Sequence, residues 1–130
     1  MPRRYATQVF GAAAVMNVGV GVGLFVAPAA TLAMMGMQPP SSQVLLQLAA
    51  WLILVFGVGY AFTARDPDGN RDLMRLGAIG KMLVLPLMLA AWRRGEVGPA
   101  GVASGGGDLV FALLFLDVLR RTRREMPSAA

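Results

Sequence analysis

Four long apolar runs constrain this chain more than any other feature: roughly 9–34, 44–64, 73–92 and 102–119. Each has about the 17–25 residues that a helix needs to cross a hydrocarbon core. A helix lying on a soluble core would show an apolar stripe backed by a polar face, whereas these runs are apolar on every side. Composition agrees, because 56% of the 130 residues are hydrophobic and only 15% are charged, against about 25% in soluble domains. The predicted fold class is therefore all-α: an integral membrane four-helix antiparallel bundle, forming a single transmembrane domain over residues 1–130.

The breaks between runs consist of turn chemistry. Gly36 and the segment Gln38-Pro39-Pro40-Ser41-Ser42 end the first helix and start the second, because proline cannot continue a helix and serine caps the next one. Asp66-Pro67-Asp68-Gly69 reads as a tight turn, with Asn70 or Asp72 placed to cap the third helix. Gly95, Gly98 and Pro99 separate the third helix from the fourth. Such short connections favour up-down-up-down topology with sequence neighbours in contact.

The arginines give orientation. With four spans, Arg3, Arg4, Arg65, Arg71, Arg75, Arg120, Arg121, Arg123 and Arg124 share one side, and Arg93 and Arg94 lie on the other. This positive-inside bias predicts cytoplasmic termini and a multi-pass protein of the cell (inner) membrane. The first thirty residues also begin like a signal peptide, with two arginines and small residues around Ala27 to Ala30. Their apolar part runs close to 20 residues, where signal regions run about 7–15, so a retained span is expected. The net charge of +5 belongs to topology and anionic headgroups, and no nucleic-acid partner is expected.

The absence of cysteine and histidine removes thiol exchange, imidazole ligation of haem and the usual zinc, copper and iron–sulfur ligand sets. Nucleophile–histidine catalysis is removed with them. The seven acidic residues are scattered, so no metal site, cofactor or catalytic residue is expected. Gly19-Val20-Gly21-Val22-Gly23 imitates a dinucleotide loop but lies inside an apolar span, and the expected role is helix packing through Gly19 and Gly23 in GxxxG spacing. Asp66, Asp68, Asn70 and Asp72 imitate a calcium loop, yet Gly77 stands where the bidentate glutamate should be.

Lys81 sits near the centre of the third run, where a charge costs roughly 2.5–3.5 kcal/mol on insertion scales. At 1.5 Å of rise per residue, Lys81 lies about 14 Å from the cytoplasmic end of its helix, Asp108 about 18 Å and Asn17 roughly 15–20 Å. These three side chains on three helices are expected to form an intramembrane polar layer, with Lys81 and Asp108 paired. Each has small neighbours one turn away, the mark of a helix-facing side in membranes. Pro86 cannot donate to the carbonyl of Met82, which offers a further acceptor beside Lys81. Ser104, Tyr60 and Gln47 are possible extensions of the polar path. Trp51 is assigned to packing, Trp92 to an interfacial anchor, the methionines to flexible filler, and Asp117 to a surface ion pair with Arg120 or Arg121.

The order of Asn17 and Pro28, FGVGYAFTARDP closing the second helix, LGAIGK opening the third and GGGDLVFALLF opening the fourth resembles the small bacterial four-helix membrane proteins grouped as DoxX-like. Lys81 and Asp108 fall on positions typical of that group. The resemblance implies membership in a largely uncharacterised set, one of whose members is a membrane subunit associated with quinone-linked thiosulfate oxidation, and that activity does not transfer by membership. The leading functional reading is a non-catalytic accessory or assembly subunit of a membrane complex, with a quinone-linked redox complex the example in view. Its partners would be the lipid bilayer, other membrane subunits or a homo-oligomer, and a quinone. The alternative is a small solute or proton-linked carrier with a midplane Lys–Asp–Asn site. An enzyme acting on a lipid or quinone ranks last.

Overall fold

The computed structural model describes residues 2–125, and Met1 and Met126, two of the methionines read as filler, lie outside them. Five helices follow in order: α1 (Pro2–Val26), α2 (Pro28–Met34), α3 (Gln43–Arg65), α4 (Arg71–Arg93) and α5 (Pro99–Glu125). All but α2 are long and apolar enough to cross a membrane, and together they form an all-α bundle.

The first run is not one helix, as its expected bounds of 9–34 implied. Proline lacks an N–H and its ring crowds the carbonyl four residues back, so Ala27 leaves helical geometry (φ −138°, ψ 67°) and α2 restarts at Pro28. Thr31 reinforces the bend by donating both its N–H (3.0 Å) and its hydroxyl (2.8 Å) to the Ala27 carbonyl. The α3–α4 turn also differs from expectation. Asn70 precedes α4 without a side-chain cap, and its amide donates instead to the carbonyls of Asp66 (2.8 Å) and Phe62 (3.5 Å), closing the end of α3. Ser42 does cap α3, accepting from the Leu45 N–H at 3.4 Å.

Helices α1 and α5 extend beyond their apolar runs at the arginine-rich end, where neither contains a breaker past the start of α1. There Tyr5 Oη donates to Asp117 Oδ2 (3.0 Å), and Arg121 Nε donates to the same oxygen (2.9 Å) with its guanidinium 5.5 Å from the Tyr5 ring centroid. Arg71 of α4 reaches the Leu119 carbonyl (3.3 Å) and Thr122 of α5.

The helices pack as two hairpins, α1 along α3 and α4 along α5. The hairpins meet mainly through α1 against α5, while the sequence neighbours α3 and α4 touch more thinly. Gly21 carries the close approach of α1 to α3, since a Cβ there would lie 2.9 Å from Leu54 Cβ and 3.1 Å from the Ala50 carbonyl oxygen. The GxxxG expectation is thus corrected: Gly19 has open space around it and Gly23 faces Thr31 across the kink. On α5, Gly105 abuts the Leu85 backbone of α4.

The main core fills the arginine-rich half, where Phe10, Tyr60, Met74 and Phe115 are buried. Phe10 stacks on Phe115 at 4.3 Å between centroids, and Tyr60 meets Phe115 edge-on at 5.1 Å. A smaller cluster of Leu24, Leu32 and Ala50 packs the far half. At the far end the two interhelical loops join: Met37 bridges Val97, and the Gly98 N–H donates to the Gly36 carbonyl at 3.0 Å. Gly36 has φ +67°, a left-handed conformation open to glycine at little cost. Trp51, expected to pack, is 56% exposed and faces outward from α3, and Trp92 is exposed at the end of α4.

Candidate functional site

Three glycines allow the polar residues to meet. Gly105 seats α5 directly on the α4 backbone, which carries Asp108, one turn further on, to the level of Lys81. Gly57 does the same between α1 and α3, where a Cβ would stand 3.0 Å from Asn17 Cβ, so the Asn17 amide can reach a carbonyl one turn back on α3. Gly77, one turn before Lys81, leaves room for the Tyr60 ring, whose Cε1 would be 2.7 Å from a Cβ at that position.

The result is a chain of hydrogen bonds across all four long helices. Asn17 Nδ2 of α1 donates to the Ile53 carbonyl of α3 (3.2 Å), and Asn17 Oδ1 accepts from Lys81 Nζ of α4 (3.3 Å). Lys81 Nζ also donates to Asp108 Oδ1 of α5 at 2.6 Å. The Lys81 side chain is 9% exposed and that of Asp108 23%. Two aromatic faces close around the ammonium, with Nζ 5.7 Å from the Tyr60 centroid and 5.5 Å from that of Phe111. A ring's negative face attracts a cation, so Lys81 has an anion, a neutral acceptor and two rings as neighbours.

This geometry meets the condition for a charge inside a membrane, that it face the bundle and have a partner. Removing water from two ions is costly, and contact plus further hydrogen bonds offset that cost. The Met82 carbonyl, offered by Pro86, is not among the acceptors of Lys81; α4 continues through Pro86, and Asn17 and Asp108 take the lysine.

The proposed extensions fare differently. Tyr60 is buried and adjoins the layer through its ring. Ser104 is half-buried on α5 one turn before Asp108, and among the described residues no hydrogen bond joins it to the layer. Gln47 stands apart: it precedes Ile53 by six residues, about 9 Å along α3, and lines a recess near the far end. Phe111 was not among the sequence candidates. Its only signal is its spacing, three residues after Asp108 on the same helical face.

Beyond the layer, the Arg94–Glu96 pair occupies the α4–α5 loop, with Arg94 Nε 2.6 Å from Glu96 Oε1 and Nη2 3.2 Å from Oε2. The Arg94 guanidinium hydrogen bond holds the Glu96 carboxyl below the usual carboxylate range. Compared with models of protein families, with curated proteins and with solved structures, the chain matches none.

Proposed function

We propose that this small multi-pass membrane protein serves as a non-catalytic accessory or assembly subunit beside a larger complex of the bacterial inner membrane, with both termini cytoplasmic. The observation that carries this reading is the closure of the polar layer upon itself. Lys81 is bonded to Asp108 and Asn17 and covered by Tyr60 and Phe111, so the ionised lysine is engaged in holding helices. The outer surface complements this, because Gly11, Gly19 and Gly80 have open space where a side chain would be, and small residues let a neighbouring helix approach closely. The DoxX-like resemblance places a quinone-linked redox complex among the partners to examine.

Gentle purification of the tagged protein from its own membranes, with partners identified by mass spectrometry, tests the proposal. A stoichiometric larger membrane partner is expected. The carrier reading draws on Asp108, whose side chain is 23% exposed against 9% for its partner. A partner-free oligomer that supports proton or solute flux in vesicles, abolished by Lys81→Met, would replace the accessory role with the carrier.

A further inference from the structure

The kink at Ala27 creates a second feature, away from the polar layer. Helix α2 leaves α1 at the far end of the bundle, and residues of α2, the Pro39-Pro40-Ser41 segment and the start of α3 line a recess of about 360 Å³. That volume falls within the range of small-molecule sites, roughly 300–1,000 Å³. Its walls come from Leu24, Pro28, Leu32 and Leu46, and its polar groups include the amides of Gln43 and Gln47. No side chain that lines it is ionisable.

We propose that this recess binds the head of an uncharged glycerolipid of the diacylglycerol class. Depth supports that occupant. The 23 residues of α3 extend about 35 Å, slightly more than a hydrocarbon core of about 30 Å, so Gln43 falls at the interface and Gln47 just beneath it. Ester carbonyls and a free hydroxyl lie at that level, with acyl chains leading inward. A carboxamide both donates and accepts, which suits carbonyl and hydroxyl together, and the lining has no cationic side chain to attract a phosphate. The site is also preorganised. Leu32 is 3% exposed and packs with Leu24 and Ala50, which seats α2. Its carbonyl accepts from the Met37 N–H at 2.9 Å and so closes the end of α2, and the prolines hold their backbone with little freedom to lose.

The test uses the full-length protein in detergent, with dioleoylglycerol and dioleoylphosphatidylglycerol as probes in native mass spectrometry. Dioleoylglycerol is expected to bind in preference. The exposed pair Gln43→Leu with Gln47→Leu should weaken it about tenfold, in line with two net hydrogen bonds, while leaving the melting temperature unchanged. A diazirine-bearing dioleoylglycerol should label peptides from α2 and the start of α3, and Ala29→Phe, which fills the recess from α2, should abolish that labelling. Equal or stronger binding of phosphatidylglycerol, undiminished binding in the double variant, or labelling confined to other helices would overturn the proposal. None of these readouts depends on a protein partner, so the result stands apart from the accessory role.

Discussion

Lys81 and Asp108 stabilise the bundle only as a pair. Removing either partner leaves the other charge poorly compensated, so Lys81→Met or Asp108→Leu is expected to lose about 3 kcal/mol, whereas changing both together should restore most of the loss. Unfolding in detergent measures this, and additive losses would show that the two side chains do not pair. Asn17→Leu leaves the ion pair intact and removes its tether to α3, so a loss of about 1 kcal/mol is expected by the same measurement. The three residues were legible in the sequence because polar side chains are rare inside apolar runs and helical rise converts position into depth. The rings around the ammonium were not legible, because Tyr60 and Phe111 read as ordinary core residues until the fold brings them there. Gln47 lies outside the layer because six residues of separation from Ile53 place it about 9 Å away along α3.

Among elements, the contrast between neighbouring glycines of α1 is the sharpest test of packing. Gly21→Val drives a side chain into Leu54 and the Ala50 carbonyl and should destabilise the bundle by about 1–3 kcal/mol, the usual range for overpacking. A Cβ at Gly19 would meet nothing within 4 Å, so Gly19→Val should leave the melting temperature nearly unchanged. A GxxxG spacing names candidates for close approach but not the rotation of the helix, which is why the pattern pointed to the wrong residues. Pro28 was visible in the sequence, yet the length of the apolar run outweighed it; Pro86 shows that proline alone does not dictate a break. The α4–α5 loop makes a pH prediction. Because the Glu96 carboxyl titrates below its usual range, its contribution is present at neutral pH and is lost as the pH falls through that lowered value. The wild type should therefore hold a small advantage over Glu96→Gln that disappears in acid, as seen by urea titration at stepped pH.

For the whole molecule, topology is the most exposed claim. Single cysteines at Ser42, Asp68 and Gly98 in this cysteine-free chain should divide, with Asp68→Cys shielded from an impermeant thiol reagent added outside and the other two labelled. Reversed labelling would invert the bundle. The four spans were legible because bilayer thickness sets helix length, but the choice of partners was not, since apolar runs do not specify which faces meet. The structure resolves this into two hairpins with thinner contact between α3 and α4.

The ion pair lies wholly within the second of these hairpins, and its opposite charges sum to zero. A membrane potential acts on a free elementary charge with about 2.3 kcal/mol per 100 mV over the full crossing, but exerts almost no net force on two opposite charges 2.6 Å apart. The paired charges are thereby insulated from the cell's voltage. Neutralising Asp108 alone would leave one positive charge partway across the field, converting an electrically silent helix pair into one whose stability follows the energised state of the membrane.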